Sequence, residues 1–187
     1  KSMSLASKPA MERITNFVTN WNIISYPGSA WAKQVFPDLE ERDAISSLAK
    51  AIFSISRVDN PDPIAAWEKH QQTLTSRQNW LNEKNFSALR YSAPGTDLTI
   101  GLAKGHEWKG GASTSKNGIT CTPNIPTEEV FTTPHSHRVD GCVRATKPLV
   151  YRGTLIEGIE VEFEKGKITK ARAEKGEEVF LNLLDTD

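Results

Sequence analysis

Cysteine is nearly absent from these 187 residues. Cys121 and Cys142 are too few for a disulfide framework or a cysteine-rich zinc site. Free thiols in a reducing cytoplasm are the expectation, with a single bridge between the two as the alternative. Net charge is absent too. Lys plus Arg is 23 and Asp plus Glu is 23, so no whole-molecule field draws the chain to nucleic acid or to an anionic membrane. No run approaches the ~20 apolar residues that span a bilayer. The opening KSMSLASKPA lacks the apolar stretch of a signal peptide. The triplet Asn85-Phe86-Ser87 therefore has no secretory context and reads as chance.

Several catalytic signatures are missing. There is no GxSxG elbow, no GxxxxGK[ST] loop and no GxGxxG after a strand. His106-Glu107-Trp108-Lys109-Gly110 begins like the HExxH zinc helix, but Gly110 stands where the second histidine belongs. It also falls in a glycine-flanked strand, so the motif is rejected.

What is present describes a globular protein with a core. Apolar residues make up 37% and charged residues 25%, which fits a soluble globular protein, and the chain is long enough to bury a core. The length suits one large domain or two small ones. The pattern predicts an α+β fold. A helical first half with at least one strand packs against a β-rich, mainly antiparallel second half, with the boundary between 1–85 and 86–187. WNIISY, Trp21 to Tyr26, predicts a short buried strand ended by Pro27-Gly28. Ala30 to Phe36 reads as a short helix. Asp38 with Glu41 suggests a capping box for a helix bearing Ile45, Leu48, Ala49, Ile52 and Phe53. Asp62 caps the next helix, with Pro63 in its first turn. Ile64, Trp67, Leu74 and Leu81 line one side of it, and Trp67 and Trp80 read as core. The two helices are expected to pack on each other and on WNIISY. DLTIGL, the alternation around Val139 to Ala145, and a hairpin turning at Lys165-Gly166 predict strands. The hairpin's Glu160, Glu162 and Glu164 read as a wet sheet face. Glu174 to Leu184 is a closing helix.

The stretch Thr122 to Pro134, TPNIPTEEVFTTP, stands apart. Its three prolines fix φ, remove amide donors and push preceding residues towards extended backbone. Glu128 and Glu129 sit on this stiff piece, and adjacent side chains on extended backbone point to opposite sides. One carboxylate aimed this way suits a metal ligand or a base. The other reading is a solvated acidic loop. His135 and His137 share a strand face, yet two histidines make half a zinc site, and a structural or solvent role is the simpler reading. A small zinc domain built on that pair is a further alternative. His70 reads as a partly exposed helix residue.

PNIPTEEVFTTP is followed by HRVDG, KPLVYRGTLIEG and AEKGEEVFLNLLDTD, and preceded by SAWAKQVFPDLEE, SRVDNPDPIAAWEKH and PGTDLTIGLAKGHEWKGG. In that order, over nearly the whole chain, these segments resemble the thermophilic-aminopeptidase family of dinuclear metallo-aminopeptidases (AmpS/PepS/AmpT type). The resemblance implies a cytoplasmic, metal-dependent hydrolase that removes the N-terminal residue of peptides, with two divalent ions (zinc, cobalt or magnesium) and a tendency to homodimerise. It implies that Glu129, the second glutamate of EEVF, is a metal ligand. Glu128 would lie behind it or in solvent, and Thr127 and Arg138 are candidate supports. The remaining ligands, and the catalytic glutamate and tyrosine, would lie beyond LLDTD. The chain therefore reads as a central fragment, inactive alone, with no catalytic residue and no tightly held metal of its own. A non-catalytic binding module built on the β-rich half is the rival reading.

Overall fold

The computed structural model describes residues 2–185, so the last two residues of the LLDTD segment lie outside the description. Helices α1 (Ser2–Thr15), α2 (Ser29–Val35), α3 (Glu41–Ile55) and α4 (Pro63–Lys84) occupy the first half, with the short strand β1 (Ile23–Ile24) between the first two. The second half is β-rich. Its strands are β2 (Ala88–Ala93), β3 (Thr96–Leu102), β4 (Lys109–Gly110), β5 (Ser113–Thr114), β6 (Thr120–Cys121), β7 (Asn124–Ile125), β8 (Val130–Phe131), β9 (Pro134–Arg144), β10 (Leu149–Tyr151), β11 (Thr154–Ile156), β12 (Glu160–Glu164) and β13 (Lys167–Arg172). Helix α5 (Glu177–Leu184) closes the described chain. This is the α+β class, and nearly all the strand pairing is antiparallel. No described helix is long and apolar enough to cross a membrane.

The chain forms two compact units. One is Lys1–Trp80 with Trp108–Phe131; the other is Leu81–Glu107 with Thr132–Asp187. Where the sequence draws one boundary after residue 85, the 108–131 excursion groups with the helices. Its strand β7 pairs with β1, and its loops bond to α4.

In the helical unit, α3 packs mainly on α2, not on α4 as expected. Ala32, Ala44 and Leu48 are buried together, with Phe36, Ile45 and Ile52 against them. The expected capping box is not formed. Glu41 Oε1 instead accepts a bond from Ser29 Oγ at 2.7 Å, and the helix starts at Glu41 with no side-chain cap. The next start is as expected: Ala65 N donates to Asp62 Oδ1 at 3.0 Å, just after Pro63. Leu74 is fully buried, but Trp80 is half exposed and Ile64 is exposed. Trp80 lies one residue, about 100°, off the Trp67–Leu74–Leu81 stripe. The expected buried strand at WNIISY reduces to Ile23–Ile24, and both residues are exposed. Their one partner is the two-residue β7, in parallel register, so nothing covers them as a sheet would.

The other unit is organised by a five-stranded sheet, ordered β13-β12-β9-β3-β2. Ile156, Val161 and Phe180 form its core, with Val143, Phe163 and Val179 packed around them. The β12–β13 hairpin matches the sequence reading. Glu162 faces Lys170 and Glu160 faces Arg172, each as an ion pair, so the glutamate row is a wet face. At its turn Gly166 has φ +81°, and a Cβ there would run into the Ser136 carbonyl. The closing helix begins at Glu177, three residues later than expected, because Lys175 is held in a bridge to Glu157. Gly176 supplies the left-handed turn before it.

Candidate functional site

The ribbon that carries the glutamate pair lies in the helical unit and is held at many points. Asn22 Nδ2 donates to the Thr122 carbonyl at 2.6 Å, and Ile23 N to the Pro123 carbonyl at 2.7 Å. Gln71 Nε2 donates to Thr122 Oγ1 at 3.1 Å, while Gln71 Oε1 accepts from Ala112 N at 2.8 Å. Downstream, β8 pairs with β4 in the register Gly110↔Val130 and Lys109↔Phe131. A Cβ on Gly110 would stand 2.7 Å from the Glu129 carbonyl, so a glycine is what lets the two backbones approach. The residue that spoils the HExxH pattern thus has a structural use.

Between the anchors the two carboxylates part. Glu128 Oε1 accepts from Arg57 Nη2 at 2.7 Å, and its Oε2 lies 3.6 Å from His70 Nε2. Glu129 borders a cavity of about 590 Å³ whose wall includes Trp21, Gln78, Lys109 and Thr127. It also reaches a depression of about 510 Å³ shared with Ile24, Pro126 and Glu128. No bond or ion pair from a described residue holds the Glu129 carboxylate. The two neighbours thus differ in partners: Glu128, itself 61% exposed, is paired with Arg57, and Glu129 lines the cavity beside Trp21 and Gln78.

His70 differs from its sequence reading. Its side chain is only 10% exposed, because α4 sets it on the same face as Trp67 and Leu74. His70 Nε2 lies 2.6 Å from the Thr127 carbonyl, Nδ1 lies 3.2 Å from Arg57 Nη2, and the ring meets Trp67 edge-on at 5.5 Å. Thr127 touches this cluster through its main chain. Arg138 belongs to the sheet unit, where Nη1 donates to the Leu102 carbonyl at 3.3 Å. His135 and His137 lie near each other on β9, ring centres 6.1 Å apart, and His137 N donates to His135 Nδ1 at 3.1 Å. Among the described residues no three His, Cys, Asp or Glu side chains gather as a metal site, these two included. Cys121 and Cys142 are free.

A protein with this fold, and with one carboxylate left open on a stiff ribbon, has close relatives of known class. The family model described as thermophilic metalloprotease (M29) matches residues 1–187, and the chain belongs to that family. Aminopeptidase T of Thermus thermophilus is 54% identical over 187 residues, covering 100% of this chain and 46% of that protein. Aminopeptidase 2 of Geobacillus stearothermophilus is 45% identical over 194 residues. Aminopeptidase PepS of Streptococcus thermophilus is 42% identical over 185 residues. The solved structure of wild-type AmpT from Thermus thermophilus superposes with a TM-score of 0.91 at 52% identity, covering 98% of this chain and 45% of that one. The chain spans less than half the length of these relatives.

Proposed function

We propose that this chain forms part of a metal-dependent aminopeptidase and supplies one metal ligand, Glu129, to its centre. The carrying observation is the split of the pair: Glu128 is engaged by Arg57 while Glu129 faces a cavity. One carboxylate is far short of the four ligands usual for zinc or the roughly six for magnesium. The described residues therefore fit one position of a site and do not make a site alone. When bound, a pair of divalent ions (zinc, cobalt or magnesium) supplies Lewis acidity towards a peptide carbonyl and acidifies a bound water. This chain's own part is to hold the Glu129 carboxylate aimed and free of competing partners. Peptides with a free N-terminus are the substrates in this reading. Free Cys121 and Cys142 suit a reducing compartment, and the cytoplasm is the location proposed. Exposed Ile23, Ile24 and Tyr26 support self-association, including the homodimer expected from the family likeness.

The test compares the 187-residue chain alone with a chimera in which it replaces the matching part of aminopeptidase T. Alone it is expected to release no product from aminoacyl-p-nitroanilides and to retain no stoichiometric metal after dialysis. The chimera is expected to do both, with activity abolished by a chelator. Turnover by the isolated, contaminant-free chain would overturn the proposal and favour a self-contained site.

A further inference from the structure

The cluster behind Glu128 has a donor and acceptor pattern that fixes more than an ion pair. An Arg guanidinium only donates, so His70 Nδ1, 3.2 Å from Arg57 Nη2, accepts. The ring proton must then sit on Nε2, 2.6 Å from the Thr127 carbonyl, which only accepts. The second hydrogen of Arg57 Nη2 goes to Glu128 Oε1 at 2.7 Å. The guanidinium lies over the Trp67 ring at 5.5 Å, and Trp67 Nε1 donates to the Ser56 carbonyl at 2.8 Å. Arg57 itself is held with φ +61°, a left-handed conformation costly for a side chain of this size. Both ring nitrogens thereby have a hydrogen-bond partner.

We propose that His70, locked as the Nε2–H tautomer by Arg57, is a positioning residue: it grips the Thr127 carbonyl and so sets the direction in which Glu129 leaves the ribbon. The clamp rests on the reading of Glu129 as a metal ligand for its purpose, though not for its existence. The geometry is that of a short bridge. Thr127 is pinned by His70 and Val130 by Gly110, which leaves only Glu128 and Glu129 between two fixed points. Glu128 is drawn towards Arg57, while Glu129 lines the cavity beside Trp21 and Gln78, which Glu128 does not reach. The Arg57–Glu128 pair alone would carry little, since Glu128 is 61% exposed. The largely buried His70 bond is the stronger part, because its loss strands a carbonyl and a ring nitrogen.

Two measurements on the 187-residue chain test the clamp directly. Nitrogen-15 NMR of labelled histidine is expected to show the His70 proton on Nε2; a proton on Nδ1 overturns the proposal. A protease that cuts after glutamate, followed by mass spectrometry, reads the order of the ribbon at Glu128 and Glu129. Loss of one net bond of ~1 kcal/mol corresponds to about fivefold faster cleavage in His70→Ala. His70→Gln, which keeps an amide donor for Thr127, is expected to restore most of the protection. Equal cleavage of wild type and His70→Ala overturns the proposal. Should His70→Ala lose its cooperative fold, Arg57→Lys carries the same test, and unchanged cleavage there has the same meaning. In the chimera, His70→Ala is expected to weaken metal affinity by about 10-fold, with kcat recovered at saturating metal and His70→Gln restoring the affinity. Unchanged affinity there overturns the positioning role. Glu129→Gln in the same chimera separates the two ideas: if it leaves metal binding intact while the protease result holds, the ligand reading fails and the clamp stands.

Discussion

The sheet unit and the helical unit hold their chains in different ways. In the sheet unit, ladders align β13, β12, β9, β3 and β2, and a shared core of Ile156, Val161 and Phe180 lies against them. In the helical unit, the ribbon from Thr122 to Glu129 is paired as strand only over the two residues of β7, against β1. Two of its carbonyls are taken by side chains, Asn22 on Thr122 and His70 on Thr127, and that of Pro123 by the Ile23 amide. A ladder fixes all side chains in register and leaves alternate ones to the two faces. Side-chain clamps can fix a backbone and still leave a chosen carboxylate unpaired. That difference explains why the candidate ligand sits on the irregular ribbon while the glutamate row of β12 is neutralised across its hairpin.

The comparison can be broken at several strengths. Truncating the sheet core should do most damage: Phe180→Ala is expected to cost about 3–5 kcal/mol, read as a fall in the denaturation midpoint. A loss below 1 kcal/mol would mean that the ladders, not this core, hold the unit. Gly110→Ala comes next, because its Cβ would meet the Glu129 carbonyl at 2.7 Å and the short, branched Val130 side chain at 2.8 Å. A loss of roughly 1–3 kcal/mol is expected, with faster cleavage at Glu129. Wild-type stability would show that the β4–β8 approach is looser than described. Trp21→Phe should have the opposite sign. Trp21 Nε1 is buried with no described partner, so removing that donor is expected to leave the melting temperature unchanged or higher. A clear fall would reveal a bond to the indole. Smallest is Glu162→Gln on the hairpin, where an exposed pair with Lys170 is expected to shift stability by less than about 0.5 kcal/mol.

Much of the fold was legible because its signals are local. Asp62-Pro63 marks a helix start through a cap three residues away. Lys165-Gly166 marks a turn between two alternating runs, and the hairpin follows. The misreadings concern partners distant in sequence. WNIISY has strand composition, but its pairing with Asn124–Ile125 is short and leaves both isoleucines in solvent. Asp38 and Glu41 match a capping box, yet Ser29, twelve residues earlier, takes the Glu41 carboxylate. Proline stiffness and strand alternation lead to the expectation that only one of the two glutamates faces a given site, and the pairing of Glu128 with Arg57, 71 residues away, was not legible. Nor was the part played by His70, because its partners lie 13 and 57 residues away at Arg57 and Thr127. The signal available was its spacing of three from Trp67 and four from Leu74, which places it on the inward face of α4.

Calorimetric titration of the metal-stripped chimera with zinc most directly tests whether the ribbon presents Glu129 and retains Glu128. Glu129→Gln is expected to weaken the tightest binding step by at least about 100-fold, and Glu128→Gln by no more than about 10-fold, as for a group behind a ligand. The reverse order, with Glu128→Gln abolishing binding and Glu129→Gln leaving it intact, would contradict the account.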